Sequence, residues 1–197
     1  MSTPARRDAT ASTARIRASA REEFATHGFE GARVDRIAAR AGVNKALLFQ
    51  RFGDKAGLYT AALAEIAEAA TAARARIASQ YPDGIADGAQ FRALVRDLAV
   101  GTQRLLESDP TARGMLAWER AAGWVAFHSA RPETTDPAAD LIAEWFRAAE
   151  RRGWLRAGAS AEQHLALCLE LVCAVDSRDE GFVGELVADA LAPAVTS

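Results

Sequence analysis

Residues 34–55, VDRIAARAGVNKALLFQRFGDK, read as two short helices joined by a turn with room for nothing but a corner. Apolar spacing predicts the helices over about 33–40 and 44–50, with Ala41, Gly42 and Val43 between them. Ile37 and Leu48 fall where the helices face each other, and Ala38 is small where their axes must approach. Gly42 supplies a left-handed turn that a side chain would resist, and Val43 plugs the corner beneath it. Asn44 is placed to cap the second helix, whose exposed first turn offers Lys45, Ala46 and Leu47 outward.

On the N-terminal side, residues 1–9 (MSTPARRDA) hold Pro4, Arg6 and Arg7 but no apolar period, and read as a flexible basic arm. A helix is expected from about Thr10 to His27, with Ile16, Ala20 and Phe24 on one face and Gly28 as its stop. On the C-terminal side, Asp54 opens a longer helix to about Ser79, ahead of a loop at Tyr81-Pro82-Asp83-Gly84. Further helices are expected at about 89–107, 110–128, 137–153, 160–176 and 180–192. Ser108-Asp109-Pro110, the stretch from Pro132 to Pro137, and Gly153 with Gly158 mark breaks between them. The reading is all-α: an arm (1–9), a three-helix helix-turn-helix head (10–55) and a larger helical body (56–197), with the helix over 54–79 bridging head and body.

The net charge of −2 conceals a division. Residues 1–55 carry 11 Lys and Arg against 6 Asp and Glu, a net of +5, and the remainder carries 13 against 20, a net of −7. A basic head on an acidic body points to a polyanion at one end. Cys168 and Cys173 are five apart in one expected helix, where they point roughly 140° apart and cannot bridge each other. No charged-then-apolar leader opens the sequence and no apolar run reaches spanning length, so a cytoplasmic protein with no membrane partner is expected.

Ile37-Ala38, Ala41-Gly42-Val43-Asn44, Leu48-Phe49, Phe52, Lys55 and Leu58 together resemble the TetR family of bacterial regulators (TetR/AcrR type), whose signature is approximately IA..AGVS.G.LY..F..K..L. The resemblance is specific over about residues 14–63. It implies a head whose second short helix enters the major groove of double-stranded DNA, and a body that binds ligand and dimerises. Carried onto this sequence, the DNA-facing positions are residues 44–51 and Lys55. Lys45 can donate to guanine, Gln50 can pair with adenine, and Leu47 can touch a thymine methyl; which of these, with Asn44 and Ala46, reach bases is left open. Arg51 and Lys55 suit phosphate. Phe49 stands where the family usually has tyrosine, removing a phosphate hydrogen bond. Ala32 and Arg33 replace the hydroxyl residues common before the first short helix, losing a cap and adding a cation. The arm is either a minor-groove contact or a plain disordered terminus.

In the body, LALCLELVCAV (165–175) is apolar around nearly its whole circumference, and residues 182–191 behave likewise. Such helices need one burial within their subunit and another elsewhere, so Leu165, Leu169, Val172, Phe182, Leu186 and Val187 are expected at a homodimer interface. Phe91, Leu94, Leu98, Met115, Trp118, Phe127, Trp145 and Phe146 have the bulk to line a pocket for a largely apolar or aromatic effector, with His128 as a polar partner; equally, they suit a packed core. His27, His128 and His164 share no metal spacing with each other or with the cysteines, and no catalytic constellation stands out, so neither metal, cofactor nor enzymatic activity is expected. The competing reading is a helical interaction scaffold with a degenerate corner.

Overall fold

Alanine-rich, strand-poor sequence gives helices throughout: every regular element among the described residues is helical. The computed structural model describes residues 4–130, 136–175 and 179–192, with the side chains of 4–9 and 128 excepted. The helices are α1 (Pro4–Gly31), α2 (Val34–Ala41), α3 (Lys45–Phe52), α4 (Lys55–Ala78), α5 (Gly88–Ser108), α6 (Pro110–Ala121), α7 (Val125–Ser129), α8 (Pro137–Arg151), α9 (Ala161–Ala174) and α10 (Glu180–Leu191).

Two expected boundaries move. The helix expected from Thr10 begins at Pro4, where a ring-fixed φ and a missing N–H suit a first turn, so residues 4–9 of the expected arm are helical. The single helix expected over 110–128 is two. α6 ends at Ala121, and Trp124, at φ 63°, turns the chain into α7. The expected break at Pro132 and the side chains of Arg6 and Arg7 lie outside the described residues.

The chain forms two units: the described parts of residues 1–67 and 109–133, and those of 68–108 and 134–197. The division falls within α4 rather than at Lys55, and α6 and α7 belong to the first unit. In that unit α1 packs against α2 and α6. Ile16, Ala20 and Phe24 of α1 are buried with Ile37, Leu48, Leu58, Leu63 and Met115. Gly114 lets α6 approach α1 closely, since a Cβ there would stand 2.9 Å from that of Ala25. Phe24 meets Tyr59 edge-on at 4.8 Å, and Phe29 lies 5.2 Å from the same ring.

In the second unit α5 packs on α10 and α9, and α8 on α9. Its core holds Phe91, Leu94, Val95, Leu98, Ile142, Phe146, Cys168, Val172, Val183 and Val187. Close packing of α10 on α5 is set by Gly184, whose absent Cβ would lie 2.8 Å from Arg96 Cγ. Arg92 ties the same helices by ion pairs of 2.6 Å to Glu185 and Asp189. Cys168 is buried, and that burial pushes its thiol up to about 12.

Candidate nucleic-acid interface

The corner forms as its residues dictate. Gly42 is left-handed (φ 66°, ψ 36°), and the N–H groups of Gly42 and Val43 return to the Ala39 and Ala38 carbonyls at 3.2 and 3.0 Å. Asn44 Oδ1 accepts from Leu47 N at 2.7 Å, capping α3. Ile37 and Leu48 are fully buried, so the opposite face of α3 is turned to solvent.

That face carries Lys45, Ala46, Phe49, Gln50 and Arg51, all exposed, with Leu47 half-buried. Lys45 pairs with Asp35 at 2.9 Å and lies 5.8 Å from the Phe49 ring, so it reaches a base only by leaving that carboxylate. Asn44 spends its oxygen on the cap and keeps its amide hydrogens to donate. Gln50 and Arg51 project without a competing ion pair among those resolved. Arg51 also borders a cleft of about 560 Å³ with Thr13, Arg17, Arg21 and Glu65. Lys55 is half-buried: it donates to the Glu30 carbonyl at 3.2 Å and lies 4.8 Å from the Phe29 ring, joining the end of α1 to the start of α4.

Sequence reasoning missed the polar frame behind the corner. Arg33 stands at the N-cap of α2 with no side-chain oxygen to give, and Glu23 of α1 supplies one, its Oε1 accepting from Arg33 N at 3.0 Å. Glu23 is only 2% exposed and also forms an ion pair with Arg36 at 3.2 Å, while Arg36 Nη1 lies 3.2 Å from His27 Nε2. The far end of α2 is held by Arg15, whose Nε donates to the Ala41 carbonyl at 3.2 Å, a cation at a helix C-terminus. No local pattern announces these partners, which lie 10 and 26 residues away.

The residues expected to line one pocket are divided between the units. Phe91, Leu94, Leu98, Trp145 and Phe146 are packed core of the second, with Phe91 edge-on to Phe146 at 5.0 Å. Met115, Trp118 and Phe127 belong to the first: Met115 is fully buried, Phe127 meets Trp124 at 5.8 Å, and Trp118 is 46% exposed. The His128 side chain lies outside the described residues. Of the expected interface, Phe182 and Leu186 are exposed and Leu165 and Leu169 half-buried, whereas Val172 and Val187 point into their own unit at zero exposure. On α10 Val187 follows Leu186 by one position and so faces another way, on α9 Val172 continues the buried line of His164 and Cys168, and Leu167 is exposed instead.

A basic helix-turn-helix head with a bare second helix, in a chain with a separate helical unit, defines the class: helix-turn-helix proteins. A profile of bacterial regulatory proteins of the tetR family matches residues 16–62. The HTH-type transcriptional repressor SCO4008 of Streptomyces coelicolor is 49% identical over 59 residues, 30% of this chain and 31% of that protein, so the match spans under a third of the relative. The solved structure of HlyIIR, a hemolysin II transcriptional regulator, covers 93% of this chain and 98% of its own, with a TM-score of 0.65 at 18% identity. A putative transcriptional regulator from Streptomyces coelicolor, SCO4942, covers 91% and 98%, with a TM-score of 0.63 at 23% identity. At such identities the structural likeness is one of fold. Over residues 16–62 the chain is thus similar to the bacterial regulatory proteins of the tetR family.

Proposed function

We propose that this chain is a transcriptional regulator that binds a near-palindromic operator as a homodimer and is released by a small, largely apolar or aromatic effector in the cytoplasm. The observation that carries the reading is the outer face of α3, where Gln50 and Arg51 stand exposed on a helix fixed from behind by Leu48 and capped by Asn44. Such a helix seats in a major groove with side chains for bases at its start and for phosphates at its margins. One short helix makes few contacts, so two related by symmetry, about one DNA turn apart, supply a usable affinity. Phe182, Leu186 and Leu167, exposed on α9 and α10, are the surface for that pairing.

Release by an effector requires a coupling of about 1 to 3 kcal/mol, enough to change operator affinity roughly 5- to 150-fold. The effector must prefer one conformation, because equal affinity for both shifts nothing. Selection of random duplex DNA by the purified protein tests the proposal. Enrichment of a near-palindrome is the expected result; absence of any enrichment at low salt would overturn it and favour an interaction scaffold.

A further inference from the structure

Within the first unit, a groove of about 420 Å³ opens between the end of α1, the start of α4 and the α6–α7 turn. Phe29, Tyr59 and Trp118 supply aromatic surface, Glu30 and Glu119 supply carboxylates, and Val125, 69% exposed, stands at its rim. No lysine or arginine is among the described residues lining it.

Its walls are held in place. The Trp118 indole packs against Gly28, where a Cβ would come within 2.9 Å of the ring, and its Nε1 donates to the Ala25 carbonyl at 3.2 Å. One side of the ring is therefore fixed while the residue stays 46% exposed. Tyr59 donates its hydroxyl to Glu119 Oε1 at 2.6 Å, and burial together with that carboxylate pushes its phenol above the usual range, so it stays a neutral donor. Glu119 Oε2 accepts from Phe127 N at 2.8 Å, fixing the start of α7.

The electrostatic balance of this groove is negative. The lining side chains carry two carboxylates, Glu30 and Glu119, and one imidazole, His27, whose Nε2 lies 3.2 Å from Arg36 Nη1. The N-terminus of α4 is capped by Asp54, whose Oδ1 accepts from Gly57 N at 2.7 Å. Lys55, at the start of α4, turns its ammonium to the Glu30 carbonyl and the Phe29 ring.

We propose that this groove binds an aromatic organic cation, the ring lying against Trp118 and the charge facing Glu30 and Glu119. Aromatic faces attract cations through their quadrupoles, and apolar walls with a few convergent carboxylates select an amphipathic ligand of one sign. The site touches the segment that leads directly into α2, so in a DNA-binding regulator it is an effector site on the head itself; that consequence rests on the regulator reading, whereas the binding does not.

Calorimetric titration of the full chain with 1-naphthylmethylammonium and with 1-naphthoate tests it, using wild type, Val125→Arg and Val125→Glu. Val125 is exposed, so neither variant disturbs the core. The cation is expected to bind about ten-fold or more tightly than the anion, with a loss of about ten-fold in Val125→Arg and none in Val125→Glu. Equal affinity for the two probes overturns the proposal. Cation binding that Val125→Arg leaves unchanged overturns it too, placing the ligand elsewhere while the regulator reading stands. A change in oligomeric mass on Val125→Arg, read by light scattering, overturns it by showing that protein covers the groove.

Discussion

Glu23 shows how one side chain can hold a recognition corner from outside it. Arg33 cannot cap α2, and the buried Glu23 carboxylate takes the Arg33 N–H and the Arg36 guanidinium together. Truncation leaves both groups without that carboxylate, so Glu23→Ala is expected to cost about 2–3 kcal/mol in urea unfolding. Lost hydrogen-exchange protection in the first turn of α2 should accompany it; protection equal to wild type would contradict the role. Glycines give a second contrast. Gly28 combines φ 65° with ψ −178°, a region open essentially to glycine, and has Trp118 where a Cβ would go. Gly42 is left-handed with open space around it. Gly28→Ala should therefore cost about 3 kcal/mol or more, and Gly42→Ala about 1–2 kcal/mol, by the same unfolding assay. Both glycines are legible in the sequence as turn or stop signals. Glu23 is not, because Glu22-Glu23 looks like any solvated pair on an amphipathic helix and its partner lies on the next one.

At the scale of elements, capping decides where helices begin and how they respond to acid. Asp109 and Asp136 open α6 and α8, each followed by proline and each accepting the N–H three residues on, at 3.0 Å from Ala112 and Ala139. Burial pushes both carboxyls up. For Asp109 the Thr111 hydroxyl, the Ala112 N–H and Arg21 outweigh it, and for Asp136 Arg74, the Ala139 N–H and Thr71 do, so both lie below the ordinary value. A carboxyl depressed on folding contributes stability that is complete above its unfolded pKa, about 3.9, and is lost as pH falls through the lower folded value. Stability should thus decline below about pH 4, and Asp109→Asn should flatten that acid limb in unfolding measured against pH; an unchanged limb would contradict the assignment. The Asp109-Pro110 start is readable from its residue types. The break between α6 and α7 is not, since Trp124 occupies a conformation rare for a bulky residue and Glu119 caps α7 from the preceding helix in place of a local side chain.

Across the whole molecule, the division of labour follows charge and exposure. A head of net +5 presents α3, and an acidic remainder includes the second unit, where apolar side chains at Leu167, Phe182 and Leu186 are left outside. Phe182, 55% exposed, is the largest of them, and Phe182→Glu is expected to convert a dimer to a monomer in light scattering without loss of helicity; an unchanged dimer would place the interface elsewhere. The sequence made α9 and α10 recognisable as apolar helices but not which of their residues look outward, because nearly every position is hydrophobic and rotational phase depends on the packing against α5. The expected pocket residues fall in two units for a different reason: α6 and α7 join the first unit, a long-range packing that no local pattern shows. The corner was readable in full because its constraints are local: Ala38, Gly42, Asn44 and Leu48 each have one role within a dozen residues. The claim that the α3 face grips DNA is tested most directly by titrating the selected duplex across a range of salt with wild type, Arg51→Ala and Gln50→Ala. Affinity should fall linearly with the logarithm of salt, with the slope reduced by about one in Arg51→Ala, while Gln50→Ala relaxes base preference at one position per half-site. Affinity indifferent to salt, or unmoved by either substitution, would contradict it.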